Sequence, residues 1–232
     1  MPIGTPTLKQ LVSEIRYSPT IIYHAERISV CYRLNDIFPH WNLDIAKVEM
    51  YDTPVKENSG KLFSVTNRGA SILQKNVADF AGFRTLAERI FNNVTQGFRV
   101  NTISRVGIRF FYLANCEMPF ESFKEVLCRR IYNQDTIGLL APNLTDLAFV
   151  ANFTEHNTNF HLIFGPVKRD ELRERFAEPQ GQFFDVGLMV DLDCFITDTP
   201  LHRVHPFLRE SFDYSQNILR RVIRFSEVED NG

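Results

Sequence analysis

Apolar residues recur along this chain with two different periods, and the two periods predict different elements. In three stretches an apolar side chain returns every three or four positions, which is the repeat of one face of an α-helix. These predicted helices cover residues 83–98, 119–132 and 206–225. Residues 20–34 fit both helical and strand spacing, and we favour a helix there. The charged stretch 168–178 predicts a short surface helix that buries Leu172 and Phe176.

Strands are predicted where apolar residues are dense, or alternate with polar ones, over a shorter stretch. The predicted strands cover residues 8–17, 45–51, 61–73, 104–113, 144–153, 159–164 and 183–195. We expect the first to lie at a sheet edge, and the apolar density of 104–113 predicts a central position. Polar residues 155–158 predict a hairpin turn, and Gly165-Pro166 is expected to close that hairpin.

A strand followed by a helix occurs twice in the second part of the chain. Residues 105–113 lead into the predicted helix 119–132, and residues 184–195 lead into 206–225. Pro206 is expected to begin the last helix, because proline is poorly tolerated inside one. The two units share an architecture, but little residue identity.

Six or seven strands against four main helices predict the α+β class. The expected architecture is a largely antiparallel mixed sheet with the helices packed on one face. A chain of 232 residues without a Gly/Ser linker predicts a single domain over 1–232, with 1–100 and 101–232 as possible similar halves.

Composition and charge narrow the class of protein without identifying a function. A formal net charge of −2 and a pI of about 6.3 predict no general attraction to nucleic acid or to an acidic membrane. The first residues lack a basic stretch followed by an apolar run, and no apolar stretch approaches the ~20 residues of a membrane span. We therefore expect a cytoplasmic protein without membrane contact. Its scattered cysteines, Cys31, Cys116, Cys128 and Cys194, are expected to be reduced structural thiols.

Opposite charges interrupt two of the predicted strands. Asp191 and Asp193 are two positions apart, and Arg105 and Arg109 are four apart, so each pair shares one strand face. The aspartates could hold a divalent cation or divide into acid and base, and the arginines could clamp an extended anion. A basic strand beside an acidic one also forms cross-strand ion pairs. We favour this structural role and predict a pair between Arg109 and Asp193.

A metal site is suggested by two histidines before the last predicted helix. His202 and His205 are three apart, and Asp198 precedes them. Because this local spacing supplies only two histidine ligands, we expect no bound metal and no cofactor. The chain contains no G-x-S-x-G elbow, Walker loop or G-x-G-x-x-G motif, and no cysteine stands in an activating context. The common nucleotide-dependent and hydrolase classes therefore gain no support.

Three stretches have an order and spacing that can be compared with a known pattern: LVSEIRYSP at 11–19, SRVGIRFFYL at 104–113 and LMVDLDCF at 188–195. Together they resemble a family of sporadically distributed, uncharacterised bacterial proteins. That family has an opening strand like E-I-R-F-S-P, a central strand like R-I-G-L-R-Y-I-N-R-I and a late strand like D-x-D-x-F. The central strand departs from the pattern, because Phe111 and Tyr112 lead away from its polar Asn-Arg ending. The resemblance implies a single-domain bacterial cytosolic protein and supplies no activity.

Three functional hypotheses follow. The first is a non-enzymatic binding protein whose polar strand ends and loops meet a protein partner or a second copy. The alternative is a small metal-dependent or hydrolytic enzyme that uses the aspartates, the histidines and an arginine on an anionic substrate. The third is nucleic-acid binding, suggested by basic and aromatic residues interleaved over 105–112 but disfavoured by the pI. Convergence of the charged groups within about 5 Å around a concave pocket would favour the enzyme.

Overall fold

The described residues form one antiparallel sheet with helices against it. The computed structural model describes residues 3–132, 144–176 and 184–227. Its strands are β1 (Thr7–Arg16), β2 (His40–Leu43), β3 (Lys47–Tyr51), β4 (Lys61–Thr66), β5 (Gly69–Lys75), β6 (Thr102–Asn115), β7 (Phe149–Glu155), β8 (Thr158–Lys168) and β9 (Val186–Pro200). Their order across the sheet is β2-β3-β4-β5-β1-β6-β9-β8-β7. The α+β prediction is confirmed, but every pairing between described strands is antiparallel, so the sheet is not mixed.

Five helices accompany the sheet in the described residues. They are α1 (Ile22–Tyr32), α2 (Phe80–Gly97), α3 (Phe120–Ile131), α4 (Arg169–Phe176) and α5 (Val204–Ser226). The carboxylate of Asp79 begins α2 by accepting hydrogen bonds from the backbone amides of Ala81 and Gly82. Four of the helices pack on one sheet face, as predicted. α4 lies on the other face, where the buried Leu172 packs against Phe111 and Leu113 of β6.

The central position predicted for residues 104–113 is confirmed by β6, which lies between β1 and β9. Val106, Ile108 and Phe110 point toward the helices and are fully buried there. Alternate residues of β6 point to the opposite face, which we call the open face. Because this face of β6 carries Arg105 and Arg109, the sheet itself determines where the candidate charges lie.

Several predicted boundaries are wrong, each for a local reason. β1 is an inner strand between β5 and β6 and not an edge strand, because its polar residues point to the open face while Leu11 and Ile15 are buried. Stretch 61–73 is a hairpin of β4 and β5 and not one strand. The four residues of β2 were too few to give a pattern.

Two proline boundaries also differ from the prediction. β8 continues through Gly165-Pro166 to Lys168, and α5 begins at Val204, so that Pro206 lies within its first turn, where a missing amide is tolerated. Residues 177–178 and 183, together with the side chain of Phe176, lie outside the described part of the chain.

The strand order is nearly symmetric about the junction of β1 and β6, with five described strands on one side and four on the other. Each side of the junction runs through a strand, a helix, a series of antiparallel strands and a long helix. The counterpart of β6–α3 is therefore β1–α1, and the counterpart of β9–α5 is β5–α2. The two strand–helix units noted in the sequence consequently belong to one half and are not copies of each other. The junction divides the described strands into two groups, β1–β5 and β6–β9, which we call the two halves.

Buried positions of the two long helices support this correspondence. Phe83, Ala87 and Phe91 of α2 are buried, and residues at one constant sequence offset in α5 are buried as well. Those α5 residues are Phe207, Ser211 and Ser215. The two helices thus present the same pattern of sites to the sheet, although the side chains at those sites differ.

Candidate functional site

The four charged residues singled out in the sequence all lie on the open face. In the pairing of β6 with β9, Arg109 is directly opposite Asp193 and Phe111 is opposite Asp191. In the pairing of β6 with β1, Arg105 is opposite Arg16. We call Glu14, Arg16, Arg105, Arg109, Asp191 and Asp193 the charged ladder.

The cross-strand ion pairs of the ladder join residues that are not directly opposite each other. The Arg109 guanidinium donates from Nε to Asp191 Oδ1 at 2.7 Å and from Nη2 to Asp191 Oδ2 at 2.6 Å. Arg105 Nη2 donates to Asp193 Oδ2 at 2.6 Å, and its Nη1 donates to Glu14 Oε2 at 3.2 Å. Cross-strand ion pairing is therefore confirmed, but the predicted Arg109–Asp193 pair is wrong. A long arginine side chain overreaches a group about 5 Å away and meets the diagonal neighbour instead.

A glycine makes room for the Arg105 side chain. A Cβ atom at Gly107 would lie 2.8 Å from Arg105 Nη1 and 3.0 Å from Cζ, which is too close for real atoms. The guanidinium therefore lies across β6 between Glu14 on one side and Asp193 on the other. Its Cζ also lies 4.5 Å from the ring centroid of Phe195, a cation–π distance. Arg105 is held from three directions.

Burial decides the electrostatics of the ladder. The Asp191 side chain is only 3% exposed, although its partner Arg109 is 42% exposed. Burial raises the pKa of Asp193, the charges of Arg105 and Arg109 oppose this change, and Asp191 and Glu14 add to it. The hydrogen bond with Asp191 raises the pKa of Arg109. These acids and arginines neutralise one another, so the ladder is an ordered surface with little net charge.

The histidines lie on the other side of the sheet. His205 Nε2 is 3.1 Å from Asn92 Oδ1, and its Nδ1 is 3.9 Å from Glu88 Oε2, both on α2. His202 is exposed in the short 3₁₀ turn Leu201–Arg203, and Asp198 is exposed at the end of β9. The described residues contain no group of three or more His, Cys, Asp or Glu side chains able to hold a metal ion. The aspartates and histidines of the enzyme hypothesis do not converge.

The cysteine thiols are free, and burial disfavours ionisation of the most enclosed ones. Cys31, Cys116 and Cys194 are buried, and Cys128 is half-buried. Burial raises the pKa of Cys31 to about 12 and raises that of Cys194 well above its ordinary value. A thiolate nucleophile at either of these two positions would therefore be rare at neutral pH.

The aromatic residues of β6 offer no free stacking surface. Phe110 and Tyr112 face the helices and are buried, and Phe111 is buried beneath the Arg109 guanidinium, with Cζ 4.8 Å from its ring centroid. Single-stranded nucleic acid requires aromatic rings that bases can reach. The interleaved basic and aromatic residues of this strand therefore form cation–π pairs within the protein.

A shallow depression on the open face adjoins the ladder, and sequence reasoning missed it. Ser64 of β4 and Ser71 of β5 lie directly opposite each other, and Glu14 of β1 lies opposite Ser71. We call this depression of about 300 Å³ the serine trough, and its rim includes Arg16 and Arg68. The period-two alternation in LFSVT and GASIL was the available signal, because it places the serines on one face.

Charge at the trough is more accessible than charge in the ladder's centre. Arg16 is 55% exposed and donates from Nε and Nη2 to Glu14 at 2.6 and 3.0 Å. Arg68 is exposed and makes no ion pair with the described residues. Within that same part of the chain, the Ser64 and Ser71 hydroxyls have no hydrogen-bond partner. Arg68 and the two serine hydroxyls therefore keep their donors free, whereas Arg16 has committed Nε and Nη2 to Glu14, as Arg109 has to Asp191.

A second ionic cluster lies beyond the trough on β3. Glu49 accepts from Lys47 Nζ at 2.5 Å, Lys56 Nζ at 2.7 Å and the Tyr51 hydroxyl at 2.8 Å. Burial alone would raise the pKa of Glu49, but these hydrogen bonds outweigh it and lower the pKa to about 2. Glu49 thus stays ionised and paired at neutral pH.

Comparisons with known proteins add no family assignment. No family model matches the chain, and a search of curated proteins found no match. The resemblance to the sporadic bacterial family stays a prediction based on the three stretches quoted above. None of the helices in the described residues is long and apolar enough to span a membrane.

Proposed function

We propose that this chain is a non-enzymatic, cytoplasmic interaction protein of bacteria, and that a protein partner docks on the open face at the serine trough. The observation that carries this proposal is the contrast between a self-neutralised ladder and the adjoining trough with accessible donors. Among the α-helices of the described residues, only α4 packs on this face, at the end near Leu113, while Lys56 of the 3₁₀ turn Lys56–Asn58 reaches Glu49 at the other end. The rest of the face is a broad polar surface of the kind a folded partner can contact.

Charge complementarity determines the chemistry of the partner. Arg16 and Arg68 supply guanidinium donors at the rim, and Ser64 and Ser71 supply hydroxyls on the floor. Glu14 is already engaged by Arg16 and Arg105. A partner segment with acidic side chains would therefore find donors in the trough, and the arginine–carboxylate pairs it forms would give geometric specificity.

Order in the ladder supports binding over catalysis. Arg105 is held by Glu14, Asp193 and Phe195, and a side chain that is already fixed loses little conformational entropy when a partner arrives. A catalytic acid–base pair would instead need a carboxylate or histidine free to exchange a proton with substrate. His205 and Asp191 lie on opposite faces of the sheet and cannot act on one substrate.

Site-specific crosslinking tests the location of the partner. A photoreactive amino acid at Ser71 is expected to capture one protein from an extract of the native host, and the same group at Asn217, exposed on α5, is not. The captured protein is then purified and its affinity measured by calorimetry. Absence of a Ser71-specific product, or a product at Asn217 alone, would contradict docking at the trough.

A matched charge reversal tests the proposed chemistry. The double variant Arg16→Glu, Arg68→Glu is expected to weaken partner binding by about tenfold or more, since each lost charge-assisted contact contributes roughly 1.5–3 kcal/mol. Arg209→Glu, exposed on α5, is the control and is expected to bind like the parent chain. Equal binding by the double variant would refute recognition by these arginines. A Ser71 crosslink to a second copy would indicate self-association instead.

A further inference from the structure

A cavity lies on the helical side of the sheet, away from the serine trough. It measures about 540 Å³ and opens between residues 5–8, the beginning of α2 and the second half of α5. We call it the α5 cleft. Its volume falls within the ~300–1,000 Å³ typical of small-molecule sites. The cleft shares no lining residue with the trough, so it requires a separate explanation.

Stacked aromatic rings form the wall of the cleft. The Phe80 and Phe212 ring centroids are 4.3 Å apart with an interplanar angle of 20°, and Phe110 continues the row behind Phe80 at 6.1 Å. Phe110 is fully buried, whereas Phe80 and Phe212 are only half-buried and line the cavity. The wall therefore exposes apolar surface to water. An apolar ligand in the cleft would remove that surface from water, which is favourable.

The base of the cleft is polar but uncharged. The Ser215 hydroxyl donates to the Phe212 carbonyl at 2.8 Å, so it must accept the Tyr112 O–H at 3.0 Å. Gln216 Nε2 donates to the Tyr112 oxygen at 3.0 Å. Burial raises the pKa of Tyr112 to about 12, so this phenol stays neutral. An apolar group can approach such a base without leaving a charge desolvated.

Two arginines stand at the rim. Arg220 and Arg224 are four residues apart on α5 and line the same cavity, with Glu227 as the acidic residue beside them. Arg220 donates from Nε to the Gln216 carbonyl at 3.3 Å and from Nη2 to Asn217 Oδ1 at 2.5 Å, which leaves Nη1 for a ligand. Arg224 is exposed and makes no hydrogen bond or ion pair within the described residues. The rim therefore carries a net positive charge.

We propose that the α5 cleft binds a small amphipathic carboxylate, with its apolar part against Phe80 and Phe212 and its carboxylate at Arg220 and Arg224. An aliphatic chain and an aromatic ring both satisfy the wall, and the carboxylate satisfies the guanidinium donors in a planar geometry that arginine favours. A neutral ligand would leave the arginine donors unused. A small anion without an apolar part would leave the aromatic wall in water.

Calorimetry with decanoate tests the cleft directly. The full chain is expected to bind decanoate saturably at one site, below the concentration at which decanoate forms micelles. Decan-1-ol, which lacks the charge, and butyrate, which lacks most of the apolar chain, are expected to bind at least about tenfold more weakly. Absence of saturable decanoate binding, or equal binding of the alcohol, would overturn the proposal.

Three variants assign the binding to this cavity. Arg220→Glu combined with Arg224→Glu is expected to weaken decanoate binding about tenfold or more, because the rim becomes acidic. Ala78→Trp, at an exposed lining position, is expected to abolish binding by filling the cavity. Arg203→Glu, exposed and outside the cleft, is the control. Unchanged binding in either cleft variant with a native circular dichroism spectrum would place the ligand elsewhere.

Discussion

Arg16 and Arg109 occupy equivalent positions in the two halves, yet their surroundings differ. β1 and β6 cross antiparallel with Glu14 opposite Gly107, so the sequences Glu-Ile-Arg-Tyr and Gly-Ile-Arg-Phe superpose about that point. Each arginine donates two hydrogen bonds to one carboxylate, but Asp191, the partner of Arg109, is buried, whereas Glu14, the partner of Arg16, is partly exposed. The equivalent arginines are thus both partly exposed, at 42% for Arg109 and 55% for Arg16, but only Arg109 pairs with a buried carboxylate.

The residues opposite each arginine explain the difference. Gly69 and Ser71 of β5 lie opposite Arg16 and Glu14, and they are too small to fill the space above the sheet. Asp193 and Phe195 of β9 occupy the corresponding positions beside Arg109 and Gly107. The trough exists because the first half keeps small residues where the second half has a carboxylate and a ring. A shared backbone therefore supports a closed surface and an accessible one side by side.

The largest effect is expected where the halves are alike. Ile15 and Ile108 are equivalent and fully buried, so Ile15→Asp and Ile108→Asp each bury a charge without a partner. Each substitution should cost more than about 4 kcal/mol and abolish cooperative unfolding. Thermal denaturation followed by circular dichroism is the measurement. Val150→Asp, at an exposed strand position, is the control, and a variant of either isoleucine melting within a few degrees of the parent would contradict this core.

The next effect separates the two arginine pairs. Asp191→Asn removes the charge-assisted hydrogen bonds from Arg109, whose side chain is 42% exposed and can be solvated, so it should lower the free energy of unfolding by about 1.5–3 kcal/mol. Glu14→Gln affects a partly exposed site and should cost about 0.2–1 kcal/mol. Urea denaturation of the variants and of the matching Arg109→Met and Arg16→Met double mutants measures each coupling. A larger cost for Glu14→Gln than for Asp191→Asn would invert the comparison.

The last comparison concerns the pH dependence of stability. The pKa of Glu49 is lowered to about 2 from 4.5, so its stabilising contribution is present above pH 4.5 and is lost as the pH falls through 2. Glu49→Gln should therefore flatten the acid side of the stability curve. Urea denaturation between pH 2 and 6 is the measurement, and a curve with the parent's slope would argue against the paired state of Glu49.

Asp193 supplies the opposite sign in the second half. Its folded pKa is raised above 3.8, so the native state takes up a proton more readily than the unfolded chain. Protonation of Asp193 therefore raises the free energy of unfolding as the pH falls through its folded pKa. This stabilisation is fully present below the unfolded pKa of 3.8 and is lost as the pH rises through the folded pKa. Asp193→Asn should remove this component while leaving the loss due to Glu49 in place. If Glu49→Gln and Asp193→Asn changed the slope of unfolding free energy against pH in the same direction, the opposite signs expected for the two carboxylates would be refuted.

The sequence predicts the helices and strands whose apolar residues recur with a clear local period. It does not predict strand order or helix placement, which depend on residues distant in the chain. The repeat of Leu86, Ile90 and Val94 at every fourth position is sufficient to predict α2, and the apolar density of β6 indicates its central place. β1 has the alternation that suggested an edge strand. Its inner position depends on pairing with β6, whose residues are distant in the chain, so the local pattern could not show it. The prediction that the helices share one sheet face is wrong for α4, because a buried Leu172 in the sequence does not indicate which face of the sheet it packs against.

The candidate site was predictable in composition but not in geometry. Opposite charges on adjacent strands indicate ion pairs, and those pairs exist. Which arginine meets which aspartate depends on side-chain reach and on the space above Gly107, neither of which the strand pattern contains. The trough was missed because the alternation that places Ser64 and Ser71 on one face of their strands does not show that the two serines lie opposite each other. The depression forms because the side chains of Gly69 and Ser71 are smaller than those of the residues that surround them.

The junction of β1 with β6 has a consequence for folding during synthesis. β1 pairs with β6 over residues that are far apart in the chain, and β6 follows α2, so the ribosome releases the whole first half before β6 exists. Until then the inner edge of β1 presents unpaired backbone groups, which are a template for intermolecular strand addition. Closure over such long sequence separations is slow in comparison with local pairing. The nascent chain therefore passes through an aggregation-prone interval that ends when β6 pairs with β1.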